Sequence, residues 1–431
     1  MELTGIWPRA TIRRSLPAAR LAATGAIAVL MAGCTAGHAQ TTTTAARRPQ
    51  VHSTIEYWGS FFGGRKGNFG TEMSPVRVTL PGVVAEVGSS NSTQYALLTN
   101  GRLYAWGLGT QGQFGDGQRQ NSFGQPVRVH FPAGVKIASI PADAMPYDTG
   151  LAVDTTGQAW GWGHNGGGQL CLGDRTAHPT PVRLPFSDVT ALAGASNHAV
   201  YDARGTVYAC GQNVAGDLGD GSKRDSTRPV QVARLQGKKI VSLVASFANS
   251  GALVAGGDYY DWGYNADGQL GDGKVSRPSD VPVKVKLPLP VVRVAQGGSL
   301  WGNGSTLVLL SDGSVRAWGD NWAGQLGNDE RGLRPSPIRI RLPAGVAYEY
   351  LATGSATSYA VSPGGEVYAW GASHVGQVGN GKGRTILKPL LILTGATSIS
   401  STANNVVVSV PNRTCSRPCR TCCPASQRRP G

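Results

Sequence analysis

Acidic residues are scarce in this 431-residue chain: 25 Asp and Glu stand against 40 Lys and Arg, and charged residues of both signs make up only 15% of it. A chain with so little charge and 40% hydrophobic residues is not wholly disordered. Long apolar runs are also missing. The stretch Leu21 to Met31 (LAATGAIAVLM) is too short to cross about 30 Å of hydrocarbon as a helix. No heptad pattern and no long amphipathic helix is apparent, which argues against a helical bundle. Metal and nucleophile signatures are absent too, with no HExxH, no GxSxG and no EF-hand loop. What the chain does have is 61 Gly and 26 Pro, a turn-rich composition that favours many short strands. Its length admits two or three ordinary domains or one large β architecture.

The ends read differently from the middle. Residues 1–33 carry Arg9, Arg13, Arg14 and Arg20 ahead of the apolar run and read as an export signal. Leu30-Met31-Ala32-Gly33-Cys34 resembles a bacterial lipobox, which implies that Cys34 is lipidated and becomes the mature N-terminus. Cleavage nearer Ala39 would instead release a secreted protein. Residues 34–53 are small and polar, a flexible tether, and residues 411–431 form a Cys-, Arg- and Pro-rich tail read as disordered. Cys415, Cys419, Cys422 and Cys423 in that tail could hold a soft metal or form disulfides, but no fold pattern accompanies them. Of the net charge of +15, the leader contributes +3 and the tail +5, leaving +7 on the body. No basic helix or interleaved basic and aromatic patch appears, so nucleic acid is not an expected partner.

Residues 54–410 repeat. The strings GRLYAWG (from Gly101), GQAWGWG (Gly157), GTVYACG (Gly205), GDYYDWG (Gly257), GSVRAWG (Gly313) and GEVYAWG (Gly365) align, and IEYWG ending at Gly59 is a partial copy. Each of the six full strings is followed by a version of GQLGDG, as in residues 268–273. The anchors Trp58, Trp106, Trp162, Cys210, Trp262, Trp318 and Trp370 span 312 residues in six intervals, an average of 52. A period of this length marks solenoids, propellers or arrays, and four short strands per unit would make a blade. A motif occurring in every unit is a structural turn rather than a ligand loop. Glycines supply positive φ, Asp or Asn bonds the local backbone, Leu is buried and Gln satisfies backbone groups. Two G-x-G-x-x-G strings, at 107–112 and 161–166, open no helix and are by-products of the repeat.

The run from Trp262 to Gly273, WGYNADGQLGDG, resembles the regulator of chromosome condensation repeat throughout. The resemblance implies an all-β, seven-bladed β-propeller over roughly residues 54–410. The N-terminal fragment begins at the Trp-Gly strand and the C-terminal SISSTANNVVVSV stops just before one, so the two ends should share a blade and close the ring. Three departures stand out: Cys210 in place of Trp, an expanded loop from Phe61 to Gly70, and an insertion read at Cys171-Leu172. Known members of the family include a nucleotide exchange factor, a plant ultraviolet receptor and a secreted bacterial enzyme inhibitor, so the fold does not carry one activity.

No catalytic pair is legible, and neither a cofactor nor a metal is expected. The seven histidines show no ligand spacing, and His198 reads as a hydrogen-bonded structural residue. Cys171 and Cys210 read as independent small apolar substitutions, with a disulfide as the alternative. Aromatics at positions that vary between units are the binding candidates: Phe61, Phe62, Tyr264, Trp301 and Trp322, with His374. The expectation is a non-enzymatic envelope or secreted binding module, tethered to the membrane through Cys34, that engages another protein. A carbohydrate or cell-wall binder, or a propeller lyase or hydrolase, is the alternative.

Overall fold

The computed structural model describes residues 53–411, except 63–68, 92, 142–144, 299–303, 344–345 and 403. Cys34, Trp301, the leader, the tether through residue 52 and the tail cysteines lie outside the described residues. Within them, 28 strands form seven four-stranded antiparallel sheets. The chain is an all-β, seven-bladed propeller.

Blade 1 comprises Val84–Ser90, Thr93–Leu98, Leu103–Gly107 and Ser122–Arg128. Blade 2 comprises Ile137–Ser139, Thr149–Asp154, Ala159–Gly163 and His178–Arg183. Blade 3 runs through Val189–Ala195, His198–Ala203, Thr206–Gly211 and Ser226–Gln231, and blade 4 through Ile240–Ser246, Asn249–Val254, Tyr259–Gly263 and Ser279–Lys284. Blade 5 holds Val291–Gly297, Ser305–Leu310, Val315–Gly319 and Arg334–Arg339, and blade 6 holds Tyr350–Thr353, Thr357–Val361, Val367–Gly371 and Ile386–Leu393. Blade 7 joins the two ends: Ser398–Thr402 and Asn405–Pro411 pair with Ser53–Phe62 and Phe69–Leu80. The expected closure is therefore met, and it removes the open edge that an unclosed array would present.

Burial grades from the axis outward. From blade 3 round through blade 7 to blade 1, the first strands of successive blades pack against one another around the axis. Second strands such as Thr93–Leu98 and Asn249–Val254 are buried at every residue, because sheets cover both of their faces. Outer strands such as His178–Arg183 alternate between half-buried, exposed and buried positions, which is why they read as polar-apolar alternation in the sequence.

The Trp-Gly pair has a geometric cause. In blades 1, 3, 4, 5 and 6 the pairing of third and outer strands shifts register across the anchor residue, for example between Asp261 and Gly263 around Trp262. Gly263 has φ +106°, and a Cβ there would lie 2.2 Å from the Ala248 carbonyl oxygen. That close backbone approach also permits the Tyr264 amide to donate to Ala248 at 2.8 Å.

The blades are locked by the GQLGDG turns. The Trp318 indole donates to the Gln269 carbonyl at 2.7 Å, and the same bond joins Trp58 to Gln377, Trp162 to Gln113, Trp262 to Asp217 and Trp370 to Gln325. Gly271, at φ +62°, lies flat against the next blade, where a Cβ would meet the Trp318 ring at 2.7 Å. Leu270 is buried, the Gln269 side chain accepts from the Asp267 amide at 2.9 Å, and Asp272 accepts from the Lys274 amide at 3.0 Å. The turn reading of the motif is borne out residue by residue.

Two interfaces differ. Cys171 occupies the Gly271 position, with φ +62°, and Gly173 has φ +86° where Gly273 has +87°. There is thus no insertion at Cys171-Leu172; the turn is in register and substituted. Cys171 forms a disulfide with Cys210 across a Cα separation of 5.5 Å, so the reading of the two as independent apolar residues is corrected. Where other interfaces set Trp against Gly, blades 2 and 3 substitute both partners and join them covalently. At the seam between blades 7 and 1, the strands ending at Phe62 and beginning at Phe69 pair with each other to those residues. Among the described residues the buried indole nitrogen of Trp106 has no partner.

Candidate functional site

Antiparallel order puts the turn between the first and second strands at the same end of a blade as the loop that follows the third strand. In blade 5, for example, Ser305 pairs with Gly297 on one side and with Gly319 on the other. One face of the ring, here the upper face, therefore carries the innermost hairpin turns at its centre. Around them lie the loops that contain Tyr264, Trp322 and His374.

Those loops are held from beneath. Asn321 accepts from the Leu326 amide at 2.9 Å and donates to the Glu330 carbonyl at 2.9 Å. Asp320 accepts from the Trp322 amide at 3.1 Å and from the Gln325 side chain at 2.9 Å, and burial raises its pKa. Trp322 is thus a 63% exposed indole on an anchored loop. Val214 occupies the equivalent position of blade 3 and is 79% exposed, and His374 occupies that of blade 6 and is exposed. Tyr264 is half-buried. Phe61 and Phe62, expected in a loop, instead end a strand, paired with Gly70 and Phe69.

At the centre lies a recess of about 310 Å³ to which every blade contributes. Asn91 comes from blade 1, Tyr147 from the loop entering blade 2, Phe247 from blade 4 and Asn404 from blade 7. Of the sequence candidates within the described residues, only His374 lines it. The others were missed because each sits in a short turn that looks unremarkable alone. The available signal was positional: these are the residues just before each second strand. Among the described residues no group of three or more His, Cys, Asp or Glu could hold a metal ion.

The buried ionisable groups elsewhere are structural. His198 donates to or accepts from Ser250 at 3.0 Å, and complete burial lowers its pKa to about 4, so it is neutral between blades. Asp261 stands where most units have Ala or Gly; burial raises its pKa well above the ordinary range, and both its oxygens accept from the Gln296 amide at 2.9 Å. Asp217, in the Gln position of its turn, is pushed up to about 7 by burial.

Fold and repeat together define the class: a seven-bladed propeller in which the regulator of chromosome condensation (RCC1) repeat model matches residues 100–142, 156–201, 204–251 and 256–300. Among curated proteins, the Ultraviolet-B receptor UVR8 of Arabidopsis thaliana is 28% identical over 336 residues, covering 75% of this chain and 74% of the receptor. The E3 ubiquitin-protein ligase HERC2 of Homo sapiens is 28% identical over 302 residues, 67% of this chain but only 6% of the ligase. Among solved structures, human WBSCR16 superposes with a TM-score of 0.72 at 18% identity, covering 83% of this chain and 99% of that one. Prp20p of Saccharomyces cerevisiae gives 0.70 at 20% identity, covering 84% and 92%. These structural likenesses establish the fold.

Proposed function

We propose that this chain is an exported, non-enzymatic binding module that engages another protein with the upper face of its propeller. The observation that carries the reading is Trp322, a large indole left 63% exposed on a loop fixed by buried Asn321 and Asp320. Large aromatics on rigid supports lose little entropy on contact and dominate binding energies. His374 on adjacent blade 6 and Val214 on blade 3 occupy the same ring of positions. The Cys171–Cys210 disulfide supports an oxidising compartment, in keeping with the basic leader and the lipobox at Cys34. The lipid anchor would hold the ring at a membrane through the tether.

Affinity capture from envelope and medium fractions, using the full chain expressed with its own leader, tests the binding role. Trp322→Ala is expected to lose a saturable protein partner while melting like the parent, because exposed substitutions change stability by only about 0.5 kcal/mol. Normal capture by both Trp322→Ala and Tyr264→Ala would remove the upper-face assignment. Fractionation of Cys34→Ala tests the anchor: movement from membranes to the soluble fraction is expected, and an unchanged distribution would refute lipidation.

A further inference from the structure

The face opposite Trp322 is built from the connections between blades. Each outer strand runs down from the upper face, so the segment that leads from it into the next blade lies on the lower face. Seven such segments, residues 81–83, 129–136, 184–188, 232–239, 285–290, 340–349 and 394–397, follow one another round the ring. They carry Lys136, Arg234, Lys238, Lys239, Lys286 and Arg341 against only Asp188 and Glu349. Ala344 and Gly345 are their only undescribed residues, and neither is charged. The hairpin turns of the same face, all described, add Arg102 and Arg204 against Asp258, Asp312 and Glu366. Two of these acids are taken up within the protein, Asp188 by Arg204 at 3.1 Å and Asp258 by Lys284 at 2.6 Å. None of the six cations in the connections makes an ion pair among the described residues, and all but the half-buried Lys238 are exposed.

Aliphatic side chains stand between these cations. Val83 is 39% exposed, and Leu289, three residues after Lys286, is 40% exposed. Val241, two residues after Lys239, is 53% exposed where the strand pairing skips it between Ile240 and Ser242. The large exposed aromatics, Tyr147 and Trp322, both lie on the upper face instead. Exposed aliphatics set among cations match the boundary between lipid headgroups and acyl chains, where ammonium and guanidinium groups meet phosphate while apolar groups pass below it. A nucleic acid would meet the same charges but leave the aliphatic groups unused, and it would find no large exposed aromatic on which to stack its bases.

Both ends of the described chain leave from this face, because Ser53 pairs with Pro411 at the lower end of blade 7. Residues 412–431, which follow Pro411, contain five Arg and no Asp or Glu. We propose that the lower face docks on an anionic phospholipid bilayer and turns Trp322 away from it. Lys239, Lys286 and Arg341, on three successive connections, pair with lipid phosphates, Val241 and Leu289 enter between the headgroups, and the arginines after Pro411 add to the attraction. The inference deepens the membrane reading above but does not require a lipid on Cys34.

The test is co-sedimentation of a chain lacking residues 1–34, which retains every described residue, with vesicles of phosphatidylglycerol mixed with phosphatidylcholine and of phosphatidylcholine alone. The anionic vesicles should bind it saturably and the neutral ones far more weakly. A basic residue close to an anionic membrane is worth about fivefold in partition, so Lys239→Gln, Lys286→Gln and Arg341→Gln combined should weaken binding about a hundredfold. Leu289→Ser should weaken it about threefold or more. All four positions are exposed, so melting temperatures should stay at the parent's, and Trp322→Ala should bind vesicles normally. A chain that also ends at Pro411 should bind less tightly yet still lose binding in the triple variant. Equal binding to neutral vesicles, a triple variant that binds like the parent, or binding that vanishes with residues 412–431 would overturn the proposal. So would tighter binding to duplex DNA than to the anionic vesicles. Because this chain lacks Cys34, failure here and failure of the lipid-anchor reading are told apart.

Discussion

Replacing Asp217 by Gln should stabilise the protein, and by an amount that depends on pH. The other five turns of this kind carry Gln, whose side-chain oxygen accepts from the backbone amide two residues earlier at 2.7 to 3.0 Å. The shorter Asp217 reaches the corresponding Ala215 amide only at 3.5 Å, and its Oδ1 has no partner. Burial consequently raises its pKa from 3.8 to about 7. Below about pH 4 the carboxyl is neutral in both folded and unfolded chains and ionisation costs nothing. As pH rises from about 4 to about 7 the unfolded chain ionises while the folded chain stays neutral, so stability is lost; above that the loss levels off. A shift of about three units corresponds to roughly 4 kcal/mol. Asp217→Gln should therefore match the parent near pH 4 and exceed it by about 2–4 kcal/mol near pH 8. Urea titrations followed by tryptophan fluorescence at the two pH values measure the difference. A gap that does not change with pH, or a less stable variant near pH 8, would refute the reasoning.

Reducing or removing the Cys171–Cys210 bond, which spans 39 residues, should cost about 4 kcal/mol by loop entropy, read as a lower urea midpoint for Cys171→Ser. The pair Cys171→Gly with Cys210→Trp, which restores the lock used at the other interfaces, should recover more than half of that and make the midpoint insensitive to reductant. Gly271→Ala should destabilise by about 2 kcal/mol or more, since its Cβ would sit 2.7 Å from the Trp318 ring at a positive φ; an unchanged melting temperature would show that the blades do not interlock there.

The repeat, the blade count and the closure were legible in the sequence because each is a local pattern multiplied. Trp-Gly and GQLGDG each recur in six of the seven units with the same backbone geometry, so weak copies add to one strong signal. Trp322 could be picked out as a candidate because it breaks that pattern at a variable position. The disulfide was half legible: Cys171 and Cys210 each replace a repeat residue, but that Gly and Trp at those positions touch across an interface is knowledge of packing, and 39 residues of chain conceal it. The recess was not legible at all. Its wall takes from one to seven residues from each blade, scattered from Asn91 to Asn404, and no window of sequence contains more than a fraction of them. Local backbone demands recur along the chain and so determine the fold from sequence alone. A site on the axis of a closed ring exists only after closure, because only then do seven unrelated turns face one another.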